Sequence, residues 1–498
     1  MKYLIGIDGG TTKTKAVLFD LQGKEINKIA VDNEIITNGD CKEMDMDNFW
    51  ESTATAVALL MSQGPAMAEE VIGVAVTGQG EGLWAINSEG RPVMNAILWN
   101  DGRAREEAWI INEKTPGVGK LVHRNIGCPV GSGSTLVLLR WLKKNHLHLY
   151  QQTKAVFFAK DWLRYCMTGR ILTDFSDGGS SFLRFTNGGV PTQLMTVLGL
   201  PEAVDKFPGV LPASSVGGHM TPEAAAKMGL LPGIPVFVGA LDVVSASLGV
   251  GAYDAGNISV VLGTTCASLI VHDKEGCDPT RYWRHFLPHV CVDKAVEVMS
   301  TLNGMTNIDW ALKELLGRPD YALADQMVEM TKPGAGGVVY HPYLSTAGER
   351  MPFNNANAKA SFFGISDGTS REQLLRAVYE SIAFSIRDCM EGYNGIDKIL
   401  ISGGGATSGI LPRIIADVNG ATVAVSKGSE FAARGAVMAA GVGLGLYENF
   451  EDAVRSCCRL DKIYQAKAHP VYDRTYQLYR ELRRAFAPLW QLRKELLG

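Results

Sequence analysis

The chain has 498 residues, 46% hydrophobic and 20% charged, with nine cysteines and a net charge of −4. That length exceeds one ordinary core, so two or three domains are expected, and the composition is globular rather than disordered. Slight acidity argues against a nucleic-acid partner, scattered cysteines without a CxxC pair against a zinc site or disulfide framework, and the lack of any apolar run of roughly 18 residues against a membrane span.

The first segment, LIGIDGGTTKTKAVLFD at 4–20, reads as two buried strands around a turn. Gly9 and Gly10 offer positive φ and close backbone approach, and successive N–H groups in such a turn form a nest for an anion. Thr11, Thr12 and Thr14 add hydroxyls, and Lys13 and Lys15 add charge. The G-x-x-x-x-G-K-[ST] spacing is absent and a strand follows, so this is not the strand–loop–helix phosphate loop. An ordinary Gly-rich hairpin remains open at this point. The direct entry into a strand, without a signal-peptide layout, predicts a cytoplasmic protein.

KEINKIAV continues as a strand and DMDNFWESTATAVALLMS as a helix with Phe49, Ala54, Val57 and Leu60 near one face. EEVIGVAVTGQGEGLWAIN reads as strand, Gly-rich turn, strand. GCPVGSGSTLVLLRWLKKN enters a helix, and AVFFAKDWLRYCMTG is a strand leading to a short helix that stops at Gly169. TPEAAAKMGLLPGIPVFVGALDVVSASLGVG gives helix, turn, buried strand and helix. This alternation predicts an α/β architecture.

Near residue 250 the pattern restarts. NISVVLGTTCASLIV at 257–271 repeats the opening strand–GTT–strand, with Gly263-Thr264-Thr265 answering Gly10-Thr11-Thr12. Two related domains are expected, 1–250 and 251–498, each presenting a Gly-Thr hairpin to a shared interdomain cleft. Further on, NIDWALKELLG reads as a helix. SREQLLRAVYESIAFSIRDCMEGY reads as a long helix with Ser370 and Gln373 as a capping box. KILISGGGATSG is a buried strand ending in Gly403-Gly404-Gly405. GVGLG at 441–445 reads as a helix-end turn. Tyr472, Tyr476, Tyr479, Leu482 and Phe486 fall at helical spacing on a packing helix.

Taken together, these segments resemble the FGGY family of carbohydrate kinases, in the actin/hexokinase superfamily with its ribonuclease H-like domains, from residue 3 to about 482. The resemblance rests on six motifs in order: IGIDGGTTKTKAVLFD; WNDGRA at 99–104; AKDWLRYCMTG followed by TDFSD; GALDVVSASLG; LGTT; and SGGGATSGILPRIIADVNGATVAV followed by EFAARGAVMAA. It implies an enzyme that moves the γ-phosphoryl of ATP, with Mg²⁺, to a hydroxyl of a small sugar or polyol. No nucleic acid or membrane is implied, and a homodimer is left open.

The resemblance also implies roles. Asp242, which on the residues alone reads as a helix N-cap, becomes the base for the hydroxyl. Asp8 becomes the Mg²⁺ ligand, partly through water. Thr11, Thr12, Lys13 and Lys15 line the β- and γ-phosphates from the first domain, and Gly263, Thr264 and Thr265 from the second. Gly403, Gly404 and Gly405 let backbone approach adenosine, and Gly304 and Asn307 are further nucleotide candidates. Gln79, Glu81, Asp101 and Arg103, with Asp242, are the sugar candidates. GQGEG at 78–82 lacks the Met-His of D-xylulose kinases and the Arg-Glu of glycerol kinases. It is closer to L-xylulose kinase-like and erythritol kinase-like members, which points to a ketopentose of the L-xylulose type, with a tetritol, pentitol or glycerol-like polyol as the alternative. Lys15 stands where glycerol kinases have Arg, so a planar bidentate fork is absent. A non-catalytic ATP-binding protein of the same fold is the rival from another class, and the acid pair Asp8 and Asp242 argues against it.

Overall fold

The computed structural model describes residues 1–281, 284–393 and 395–497. They divide into two compact units: unit 1 is Met1–Ala255, Val271–Glu297 and Glu430–Arg459, and unit 2 is Gly256–Ile270, Val298–Ser429 and Leu460–Gly498.

The elements that matter run in this order. β1 (Tyr3–Gly9), β2 (Lys13–Asp20) and β3 (Glu25–Asp32) precede α1 (Met46–Gln63) and β4 (Val71–Gly78). α2 (Thr135–Asn145), α3 (Ala159–Thr168) and α4 (Phe175–Ser181) lead to β5 (Val216–His219), β6 (Pro235–Phe237) and α5 (Asp242–Val250). Then come β7 (Asn257–Leu262), β8 (Cys266–Asp273), β9 (Lys294–Thr301), α6 (Met305–Ala311), α7 (Tyr321–Met330) and α8 (Arg371–Cys389). β10 (Lys398–Ser402), α9 (Leu411–Asn419), β11 (Thr422–Ser426), α10 (Phe431–Gly443), β12 (Leu460–Tyr464) and α11 (Pro470–Leu497) complete the list.

In unit 1 the sheet order is β5-β6-β4-β1-β2-β3, with β1 antiparallel to β2 and parallel to β4. The second sheet has seven strands, of which six in the order β12-β11-β10-β7-β8-β9 repeat it, with β7 antiparallel to β8 and parallel to β10, and the strand Phe286–Pro288 added beside β9. The same mixed order built twice, with helices in the crossovers, is a two-domain α/β fold. β1 and β4 read as continuous apolar runs because helices cover their sheet. Ile5, Ile7, Val74 and Val76 are fully buried with Phe49, Val57 and Leu60 of α1.

α10 packs with unit 1 although it follows most of unit 2 in the chain. Its small-residue face allows backbone contact with α5: a Cβ on Gly435 would strike the Ser245 carbonyl, and one on Gly249 the Phe431 carbonyl. Residues 84–211 depart from the simple alternation. Glu81 and Gly82 both take positive φ, 54° and 74°, and turn the chain out of the main sheet. The strand Trp84–Ile86 therefore pairs with Ala155–Phe157 instead of β4. A second apolar cluster with Leu136, Leu139, Phe158 and Phe182 forms there.

Unit 2 is built around α8, whose Ser370–Gln373 capping box is present in both directions. Tyr472, Tyr476, Tyr479 and Leu482 of α11 are buried in that core, and Phe486 packs against it. Burying such side chains contributes about 1.5–3 kcal/mol each. Among the described residues, no helix is long and apolar enough to cross a membrane.

Candidate active site

Unit 1 gathers its acids at the carboxyl ends of β1, β4 and β6. Across the sheet, Asp8 is in register with Lys15 of β2 on one side and Thr77 of β4 on the other; Gly78, next to Thr77, bridges Leu241. The turn after β6 depends on Gly239: its φ is +72°, and a Cβ there would collide with the Val76 carbonyl. That turn delivers Asp242 as the first residue of α5. Asp242 is not the N-cap. Leu241 occupies that position without a side-chain bond, and the Asp242 carboxylate accepts from Val243 N at 2.6 Å.

Both acids are unusually basic. Burial, then the charge of Asp8, pushes Asp242 up to about 7. Burial raises Asp8 to about 6, against the pull of Lys15 and with the push of Glu430. Asp8 Oδ1 is buried and has no hydrogen-bond partner among the described residues. A bare carboxylate oxygen of this kind suits a hard cation that keeps most of its water. No group of three or more His, Cys, Asp or Glu side chains able to hold a metal occurs among the described residues.

Glycine at 9 and 10 has a different cause from the one expected. Neither has a positive φ. A Cβ on Gly9 would press on Leu163 and Phe49 at 3.0 Å, and one on Gly10 on the Lys13 carbonyl at 2.9 Å, so space is the requirement. The turn is braced: Asn33 N donates to Thr12 O at 2.8 Å, Asn33 Nδ2 to Gly10 O at 2.9 Å, and Thr14 Oγ1 to Asn33 Oδ1 at 3.0 Å. Thr11 Oγ1 donates to Gln79 Oε1 and accepts from Trp99 Nε1, both at 3.0 Å, which ties the first hairpin to the GQGEG turn. Thr12 and Lys13 are exposed, and Lys13 pairs with Asp32 at 2.9 Å.

Lys15 is held by Glu430, a residue that sequence reasoning did not single out. Glu430 Oε2 lies 2.8 Å from Lys15 Nζ, and its Oε1 lies 2.8 Å from Lys28 Nζ. Burial opposes the charge on each partner, but the mutual bond and field win, so Lys15 is raised and Glu430 lowered.

The sugar candidates fall into two groups. Gln79 is buried on the turn after β4. Glu81 beside it is pushed by burial up to about 7, with Ser134 Oγ donating to its Oε2 at 3.1 Å. Asp101 and Arg103 are locked to each other. Asp101 Oδ1 accepts from Arg103 N and Nε at 2.8 and 2.9 Å, and Oδ2 from Lys42 N and Arg103 Nη2 at 2.5 and 3.0 Å. Arg103 also reaches Glu43 Oε1 at 2.7 Å. Four donor hydrogen bonds thus fall on the two Asp101 oxygens.

In unit 2 two segments close on residues 262–264. A Cβ on Gly304 would meet the Gly263 and Thr264 carbonyls at 2.6 and 2.5 Å, one on Gly403 the Leu262 carbonyl at 2.6 Å, and one on Gly405 Leu262 Cβ at 2.7 Å. Met305 N donates to Gly263 O at 2.8 Å and Thr306 Oγ1 to Thr264 O at 3.1 Å. Asn307 is buried, with its Oδ1 accepting from Tyr340 OH at 3.1 Å. Thr264, Thr265, Gly403 and Gly404 are exposed.

Two family patterns cover the chain: the N-terminal domain of the FGGY family of carbohydrate kinases matches residues 3–249 and its C-terminal domain residues 258–444. The chain belongs to the FGGY family of carbohydrate kinases. It is 30% identical to an erythritol kinase of Brucella abortus over 98% of this chain and 97% of that one. It is 27% identical to an L-xylulose/3-keto-L-gulonate kinase of Escherichia coli over 97% and 96%. Its fold matches a ligand-bound xylulose kinase structure from Lactobacillus acidophilus with a TM-score of 0.89 at 22% identity, covering 98% and 99% of the two chains. In this carbohydrate kinase the Gly-Thr hairpins, the GQGEG turn and the Asp242 turn thus stand in a fold that its relatives share. Glu430 was legible only as the first residue of EFAARGAVMAA; nothing in its spacing announced Lys15 or Lys28.

Proposed function

We propose that this kinase transfers the γ-phosphoryl of ATP to a hydroxyl of a ketopentose of the L-xylulose type, with Asp242 as base. The observation that carries this reading is the buried acid pair at the strand ends, Asp242 near 7 and Asp8 near 6. A base with a pKa close to the working pH takes a hydroxyl proton most efficiently. Phosphoryl transfer needs little else from the chain than positioning, donors and exclusion of water. Gln79 and Glu81 orient the acceptor, and Glu81, near its own pKa, can donate to a sugar oxygen as well as accept. Thr11, Thr12, Lys13 and Lys15 serve the phosphates from unit 1. Gly263, Thr264 and Thr265, with Gly304 and Asn307, are the nucleotide-binding residues of unit 2, where Gly403 to Gly405 receive the adenosine. Asp8 is the residue that would hold Mg²⁺, which when bound neutralises phosphate charge.

A tetritol is the second reading, favoured by the full-length likeness to an erythritol kinase. Coupled ADP release with ATP and a panel of L-xylulose, D-xylulose, erythritol, glycerol and gluconate separates the readings. The highest kcat/KM is expected for L-xylulose, and a clear preference for erythritol overturns the ketose assignment.

A further inference from the structure

AKDWLRYCMTG and TDFSD form a buried ionic cluster beneath the active site, on α3 and α4. Lys160 Nζ lies 2.7 Å from Asp161 Oδ1, 3.0 Å from Asp174 Oδ1 and 3.1 Å from Asp177 Oδ2, and Arg164 Nη1 lies 2.7 Å from Asp161 Oδ1. All five side chains are at most 2% exposed. Three carboxylates face two cations, and burial raises Asp177 well above the usual carboxylate range. Buried ion groups of this kind add little net stability over an apolar core, which leaves specificity of geometry as their use.

The cluster reaches the turn before Asp242 twice: Arg164 Nη1 donates to Val238 O at 3.3 Å, and Asp174 acts through Ser176. Asp174 Oδ2 accepts from Ser176 Oγ at 2.6 Å, and Ser176 Oγ accepts from Leu241 N at 2.9 Å. On the other side, Thr77 Oγ1 donates to Ala240 O at 2.6 Å. Ala240 C=O and Leu241 N–H belong to a single peptide plane. Its two polar atoms are thus held by buried hydroxyls on β4 and α4, with Ser245 Oγ of α5 a longer third donor to Ala240 O at 3.5 Å. The orientation of this plane sets the backbone entering Asp242. The same cluster also walls the sugar turn: a Cβ on Gly80, between Gln79 and Glu81, would come to 2.8 Å from Asp177 Oδ1.

We propose that Ser176 and Thr77 clamp the Ala240–Leu241 peptide, with the Lys160–Asp174 pair as its anchor, and so act as positioning residues for Asp242. This rests on Asp242 being the base. Ser176→Ala removes the acceptor of a buried N–H and leaves Asp174 without its hydroxyl. Misplacing a reacting group is felt in the transition state, so kcat falls with acceptor KM little changed. That misplacement predicts a drop of about tenfold in kcat. Ser176→Thr keeps the hydroxyl and restores most of it.

The deciding measurement is a double-mutant cycle on the full chain, with kcat read by radiolabelled phosphoryl transfer. In the Asp242→Asn background, Ser176→Ala is expected to lower kcat no further, since its effect passes through the base. The same fold loss in both backgrounds, or a wild-type kcat for Ser176→Ala while Asp242→Asn is inactive, overturns the clamp alone. An Asp242→Asn variant that keeps more than about a tenth of wild-type kcat overturns the base assignment instead.

Discussion

The Gly-Thr hairpins of units 1 and 2 occupy the same place in the same strand order, yet their surroundings differ. Counting from the GTT triplets, Asp8 in the first corresponds to Val261 in the second. The first turn is bound on every side, by Asn33, Gln79 and Trp99. The second is supported from beneath through its carbonyls by Met305 and Thr306, and its two threonines are exposed. A repeated backbone therefore carries an acid, Asp8, in the first hairpin where the second has Val261. The other side offers donors that cost nothing to redirect toward a ligand.

The largest test of that asymmetry is Asp242→Asn, which should leave the fold intact and lower kcat by about 10²–10⁴-fold. Circular dichroism checks the fold, and steady-state kinetics the rate. Next comes Asp8→Asn. Loss of several kcal/mol of charge stabilisation should cost about 10²-fold in kcat and raise the Mg²⁺ needed for half-maximal rate. Because the Asp8 charge helps to raise Asp242, the acid limb of kcat/KM, near pH 7 in the wild type, should move to lower pH in Asp8→Asn. Val261→Ala in unit 2 should do neither, and a comparable loss there would break the comparison.

The threonines sharpen it further. Thr11→Val and Thr264→Val should each raise the ATP KM, by about 10–100-fold for a bond to a charged group worth 1.5–3 kcal/mol. Thr11→Val should raise the acceptor KM as well, because its hydroxyl holds Gln79 and Trp99, whereas Thr264→Val should leave it unchanged. Equal effects on acceptor KM would remove the distinction between a wired and an open turn.

The smallest effect is on stability. Asp242 titrates near 7 when folded and near 3.9 when unfolded, so between those values the folded chain holds a proton that the unfolded chain has released. Stability therefore falls as pH rises through that window. Asp242→Asn should melt at a higher temperature than the wild type at pH 8, and the gap should close below about pH 4. No gap at pH 8 would mean that the carboxylate is better solvated than its burial implies.

Much of this fold was legible because period and punctuation agreed. Residues 4–20 alternate with a Gly-rich turn where the hairpin forms, Ser370 and Gln373 announce α8, and the GTT repeat announces the second sheet. Residues 84–211 were less legible. The turn that sends this segment away from the main sheet rests on a positive φ at Glu81, and no propensity favours a glutamate there. Asp101 and Arg103 were read as sugar contacts from a motif, but two residues' spacing says nothing about whether the two side chains face a ligand or each other.

The sequence by itself determined the alternation of strands and helices, the duplication and which acids could serve, since these depend on local pattern and on order along the chain. Only the tertiary structure decided which groups meet. Lys15 finds Glu430 across 415 positions, and Asp174 reaches the Asp242 turn through one serine hydroxyl. The basicity of Asp242 comes from exclusion of water and from a neighbouring charge. Both are properties of the packed site, and no linear pattern of residue types encodes them.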